Sequence, residues 1–187
     1  MALGSSFDSV LLAAQAGSGW AFERLWRETA PLVHAYARLQ GCTEPEDLTS
    51  EVFLAAFRGL DRFSGSESQL RSWLLTIAHR RVIDERRRLA RRGPAVSFDS
   101  TRHELPGGHV EADAMASLGS ERAIEALDRL APDQRAVLLL RILADLSIEQ
   151  TAEVLGKRPG AVKALQRRGL IALRKHIETF GWEGVSL

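Results

Sequence analysis

The residues of this chain that could do chemistry are its arginines and lysines, and they are clustered. The stretch Leu70–Arg92, LRSWLLTIAHRRVIDERRRLARR, carries Arg80, Arg81, Arg86, Arg87, Arg88, Arg91 and Arg92 in its second half, against Asp84 and Glu85. A second run, Lys157 to Lys175, holds seven Lys or Arg and no Asp or Glu. A guanidinium does not readily give up its proton, so such clusters clamp anions and make poor general bases. That density on one helix reads as a surface facing a polyanion. An amphipathic membrane helix is the competing reading, but the basic block is too weakly apolar for it. Asp84 is expected to pair with an arginine one turn away.

No catalytic constellation accompanies the basic runs. The chain has no Walker loop, no GxGxxG, no HExxH and no local Ser–His–Asp signature. His34, His79 and His176 are isolated, and His103 and His109 have no compact metal-ligand spacing. Cys42 is the single cysteine, which excludes an internal disulfide and a cysteine-rich metal site. It reads as a small hydrophobe. The expectation is a binding protein, with no catalytic residue, no metal and no cofactor. Formal net charge is only +1, so a nucleic-acid surface must be local. There is no signal-peptide pattern and no apolar run of about 18 residues, so the chain is expected to be cytoplasmic without membrane insertion.

The elements that must position these residues all read as helices. Gly and Pro fall at helix ends, and β-branched alternation is nearly absent. The fold class expected is all-α, with two small helical domains, 8–92 and 121–178, joined by a flexible linker, 93–120. The first domain opens with helices over Ser9–Ala16 and Gly19–Leu39, the second marked as well packed by Trp20, Phe22, Leu25 and Trp26. A helix over about Pro45–Leu60 begins acidic, with Glu44, Glu46, Asp47 and Glu51. Its apolar residues Leu48, Val52, Phe53, Leu54, Phe57 and Leu60 lie on more than one side, which suggests that one face meets a partner. The polar loop Asp61–Gln69 leads into the arginine-bearing helix, from about Ser68 to Arg92. Phe57 and Trp73 are assigned to the core. In the linker Asp99, Glu104, Glu111 and Asp113 outnumber Arg102. A mildly acidic tether would be repelled by DNA.

The second domain carries a helix-turn-helix from Leu146 to Leu173. Ser147 and Gln150 have the spacing of a capping box, Gly156 that of a helix stop, and Pro159 that of a helix start. Val137, Leu138, Leu140, Ile142 and Leu143 are expected to form the core beneath it. On the second helix Val162, Leu165, Leu170 and Leu173 can face inward, with Lys163, Gln166, Arg167 and Arg174 outward. Early residues of such a helix reach base edges in the major groove. Two nucleic-acid modules on one tether imply a bipartite site, where linkage strengthens two weak contacts.

The residues then become specific to a family. EPEDLTSEVFLAAFRGLDRF and LRSWLLTIAHRRVIDERRR resemble conserved region 2 of bacterial RNA polymerase sigma factors. LDRLAPDQRAVLLLRILADLSIEQTAEVLGKRPGAVKALQRRGLIALRKHI resembles region 4. Order, separation and short length resemble the extracytoplasmic-function (group 4) subfamily. The resemblance implies promoter recognition and melting on behalf of core polymerase, with no enzymatic activity of the chain's own. It implies that Asp47, Leu48, Glu51, Val52 and Phe53 dock on the clamp helices of the largest polymerase subunit. It implies −10 contacts by Asp61, Arg62, Phe63, Ser64, Arg80, Arg81, Arg87 and Arg88, with a flipped base captured in the Asp61–Gln69 loop. It implies −35 contacts by Arg158, Lys163, Gln166 and Arg167, a further contact of region 4 with the β flap, and an anti-sigma factor as inhibitor. IAHR stands where IARN is common, and Leu165 where the family often has an arginine. The alternative is a one-component helix-turn-helix regulator acting without polymerase, which has no reason to keep an acidic and multiply apolar Glu46–Leu60 helix.

Overall fold

The computed structural model describes residues 3–92 and 124–179. A 3-10 turn, Gly4–Ser6, leads into α1 (Phe7–Gln15), α2 (Gly19–Leu39), α3 (Pro45–Gly59) and, after a second 3-10 turn at Leu60–Arg62, α4 (Glu67–Arg92). The second unit holds a helical segment at 124–128 (α5), then α6 (Pro132–Leu138), which runs into a π-helical turn at Leu139–Leu143. The helix-turn-helix pair α7 (Ile148–Leu155) and α8 (Pro159–Thr179) completes it. The fold is all-α with two helical units, as the apolar periodicity requires. The expected linker 93–120, with His103 and His109, lies outside the described residues.

In the first unit one apolar face of each helix closes on the others. Ala21, Leu25, Thr29, Val33 and Tyr36 form the inward row of α2. Phe22 and Phe53 both pack on Phe57, with ring centroids 4.7 and 5.6 Å apart. Trp20 and Trp26 fall out of phase with the inward row, so Trp20 is 56% exposed and Trp26 covers Phe53 with only part of its ring. The well-packed marking of α2 therefore holds for Leu25 but not for Trp20.

The second unit is built on α6 and α8. Gly169 allows the crossing: a Cβ there would lie 3.2 Å from Leu138 Cδ1. Leu139 and Leu140 turn inward, but Ile142 is 68% exposed and Leu143 is also on the surface, contrary to the expected core. The cause is the π turn, where Ala144 N–H bonds to Leu139 C=O and the helical phase slips by a residue. Ser147 Oγ accepts from Gln150 N–H at 3.1 Å, and Gln150 Oε1 accepts from Ser147 N–H at 2.9 Å. Gly156 ends α7 in the left-handed region, at φ 61°.

The two units pack on each other. Leu139, Leu140, Ala144, Leu146 and Val154 belong to the same buried cluster as the cores of α1–α4. Across this seam Gln150 Nε2 donates to Ser68 Oγ at 2.8 Å. The expectation of a cytoplasmic address is corrected to what is found: among the described residues, no helix is long and apolar enough to cross a membrane.

The capping box is the clearest local stop-and-start signal in the second unit. Ser147→Ala should lower the unfolding free energy by about 1 kcal/mol, read from the urea midpoint at constant slope.

Candidate nucleic-acid interface

On α8, Arg158, Lys163 and Arg167 are exposed and Gln166 is half-buried. Gly160, Ala161 and Ala164 lie between them and are also exposed, so this face is small and basic and the backbone can approach a groove closely. Arg168, not anticipated from the sequence, shares the exposed side and bonds through Nε to Ala164 C=O at 3.3 Å. Leu165 packs with Val137, Ala152 and Val162. It is a core-contacting position here, which accounts for an apolar residue where an arginine is common. Leu170 was expected inward but is 42% exposed beside Ile171 at 58%. The two join Lys163, Gln166 and Arg167 around a shallow groove. Lys157 is held by Asp133 at 2.8 Å.

Members of the set implied for docking and of the arginines implied for the −10 strand meet at one cleft of about 320 Å³ between α3 and α4, lined by Asp47, Glu51, Arg81, Asp84, Glu85 and Arg88 among others. Arg81 Nη1 donates to Glu51 Oε2, so a member of each implied set is paired with the other. Leu48, Val52 and Phe53 are buried, because the neighbouring helices cover the sides of α3 that carry them. Asp47 and Glu51 are the exposed members of that set, and Leu54, 59% exposed, is the apolar residue that α3 leaves open. The many-sided apolar pattern of α3 gave the signal, without saying which side stayed free.

Arg80, Arg87 and Arg88 are exposed on α4. Arg87 pairs with Asp84 at 3.6 Å, one turn away. Arg86 turns inward and donates to Gln40 Oε1 at 2.7 Å. In the loop before α4, Asp61, Arg62 and Ser64 point to solvent. Phe63 does not: its ring stacks on Trp73 at 5.2 Å and 19°.

His79 is buried where α4 meets α2, and Tyr36 Oη lies 2.8 Å from its Nδ1. Burial holds the Tyr36 phenol well above its ordinary range, so it keeps its proton within this hydrogen bond. Burial, reinforced by the Arg86 charge, lowers His79 to about 4. Cys42 is pushed up to about 12 by burial and by Glu85, which makes it an unreactive thiol.

The described residues thus form two units of helices, one with a basic helix-turn-helix and one with an arginine-rich helix beside a cleft rich in carboxylates. The Sigma-70 region 2 family model matches residues 25–92, and the Sigma-70 region 4 model matches residues 120–173. Among relatives, the ECF RNA polymerase sigma factor BldN of Streptomyces coelicolor is 34% identical over 87% of this chain and 62% of its own length, so the chain spans less than two thirds of that relative. The ECF RNA polymerase sigma factor SigX of Bacillus subtilis is 34% identical over 72% of this chain and 71% of its own. Among solved structures, the sigma factor RpoE in complex with the anti-sigma factor NepR from Bartonella quintana superposes with a TM-score of 0.68 at 22% identity, covering 84% of this chain and 96% of that one, a likeness of fold. The chain belongs to the extracytoplasmic-function, group 4, subfamily of the sigma-70 family. The region 2 match covers residues that the alternative of a one-component helix-turn-helix regulator left unexplained.

The Tyr36–His79 pair has a pH signature. The unfolded histidine gains its proton near 6.5 while the native one resists to about 4. The stability contribution is therefore complete above 6.5 and is lost as the pH falls toward 4, with a slope of up to about 1.4 kcal/mol per pH unit. Urea unfolding at a series of pH values should show this fall, and His79→Gln should flatten it.

Proposed function

We propose that this chain confers promoter recognition and strand opening on core RNA polymerase. The observation that carries the reading is the pairing, on one chain, of the exposed basic face of α8 with the exposed arginines of α4 and the loop before it. Residues 121–178 serve the −35 element through Arg158, Lys163, Gln166 and Arg167. Residues 8–92 serve the polymerase through Asp47 and Glu51, with Leu54 beside them, and the −10 strand through Asp61, Arg62, Ser64, Arg80, Arg87 and Arg88. Arg81 reaches DNA only after leaving Glu51, and Phe63 only after leaving Trp73. The buried Leu48, Val52 and Phe53 shape the docking helix from beneath. The clamp helices of the largest subunit and the β flap are the polymerase surfaces proposed. An anti-sigma factor is the proposed inhibitor, as RpoE binds NepR.

The packed arrangement of the two units is a resting form in this reading. A compact chain of this length is about 40 Å across. The −35 and −10 elements lie on the order of 80 Å apart along duplex DNA. Both cannot be held until the seam between the units opens. Exposing even two leucines there costs on the order of 3–5 kcal/mol, which contacts with core enzyme and promoter must offset.

Run-off transcription with core enzyme on a selected promoter library tests the function, and no initiation together with no core binding would reject it. Arg167→Ala should cost about 1–3 kcal/mol on the selected −35 duplex, by titration; equal loss on every duplex would make Arg167 a phosphate contact. To test the opening, cysteines placed by S68C and Q150C, in a Cys42→Ser background, can be joined by a short bridge that dithiothreitol releases. The bridged protein should bind core but not initiate, and release should restore initiation. Equal initiation by the bridged form would show that the seam need not open.

A further inference from the structure

We propose that Gln15 is a positioning residue for the base-capturing loop: from α1 it pins the backbone on which Asp61, Arg62 and Ser64 stand. The inference rests on the reading of the 61–69 loop as the −10 contact, and goes beyond it by assigning a role to a helix that lies ahead of the matched region, which starts at residue 25.

The geometry is specific. Gln15 Nε2 donates to Leu60 C=O at 2.9 Å and to Phe63 C=O at 2.7 Å. One amide thus engages both of its hydrogens on carbonyls from far along the chain, and those carbonyls bracket Asp61 and Arg62. Gln15, at the last position of α1, gives the Phe63 C=O a donor and the Leu60 C=O a second one where the 3-10 turn ends. Phe63 N–H bonds back to Leu60 C=O at 3.1 Å, which closes the turn. The Phe63 ring lies flat on Trp73.

The far end of the loop is fixed separately. Gln69 Oε1 accepts from Ser66 N–H at 2.8 Å, and Ser66 Oγ accepts from Gln69 N–H at 3.4 Å. A Cβ at Gly65 would lie 2.7 Å from Gln69 Oε1, so a side chain there would push the Gln69 carboxamide aside. The backbone is therefore held at 60, 63 and 66. Asp61, Arg62 and Ser64 are exposed between these points, Asp61 and Arg62 pairing with each other at 3.9 Å. A loop already ordered binds a strand without the entropy loss of ordering it at that moment. Gln15 is half-buried behind the loop, so it acts through the loop rather than on the base.

The test uses the full chain bound to core polymerase. Gln15→Met keeps the length and removes both donors; Gln15→Lys keeps donors. The probes are a single-stranded non-template −10 oligonucleotide from the promoter selection, the same strand with the captured base replaced, and a 2-aminopurine strand that reports unstacking. Gln15→Met should lose roughly tenfold in affinity for the matched strand, the order expected for one or two neutral hydrogen bonds. Binding to the replaced strand should hardly change, so base selectivity collapses and the 2-aminopurine signal falls. Core affinity and −35 duplex affinity should stay as in the wild type, and Gln15→Lys should recover most of the selectivity. An unchanged selectivity ratio in Gln15→Met overturns the proposal. So does an equal loss of matched-strand, −35 and core binding, which marks a residue that only stabilises the fold. A wild-type complex that shows no base selectivity on the strand rejects the loop's role itself, and is told apart by needing no variant.

Discussion

The burial of α4 between two sets of partners is the constraint on which the rest depends. Over its first four turns Leu70, Ser72, Leu74, Leu75, Ala78, His79 and Val82 are all buried. These positions do not form one stripe; they wrap around the helix, because α2 and α3 pack on it from one side and α7 from another. A helix used this way has little surface left for charge along its buried length: Arg71 and Arg81 are half-buried there and Arg80 is exposed. Val82 is its last buried residue, and from Arg87 to Arg91 every side chain is exposed. The arginines are concentrated in the second half because only there does α4 leave the core.

That division explains which arginines are available to a polyanion. Arg86 lies near the end of the packed length and bonds to Gln40, and Arg81 is caught by Glu51 from α3. Arg80, Arg87 and Arg88 project to solvent. A count of seven arginines in the sequence therefore overstates the free ones. Each guanidinium that serves the fold is aimed at a group on a neighbouring helix, and sequence spacing along α4 alone carries no record of that neighbour. The same holds on α3, where apolar residues on several sides announced a second surface but only packing could show that Leu54, rather than Leu48 or Phe53, is left for it.

Local signals read from the sequence fared better than tertiary ones. The capping box at Ser147 and Gln150, the left-handed stop at Gly156 and the proline start of α8 are set by neighbouring residues, and all three are present. The Asp84–Arg87 pair is one turn long and equally local. Ile142 and Leu143 failed as core residues because a π turn shifts the phase of the helix, and nothing in a run of leucines distinguishes an i→i+5 turn from an i→i+4 one. Trp20 misled because aromatic content is not phase. Leu165, which stands where an arginine is common, packs with Val162 and Val137.

The loop between α3 and α4 shows why the site was only partly legible. Its polarity and its central glycine mark an exposed loop, and Asp61, Arg62 and Ser64 are indeed at the surface. What makes it a shaped surface lies elsewhere: an amide more than forty residues upstream, a tryptophan on the next helix and a glutamine in its first turn. None of these faces the strand on the proposed reading. Each acts on the backbone or on an apolar ring, and backbone partners leave little trace in side-chain chemistry. A loop that selects one base must hold its recognising groups to a fraction of an ångström. Tethering at three separated points holds the backbone without using the exposed side chains of the loop. On the proposed reading, the exposed trio meets the strand while the tethers stay behind it.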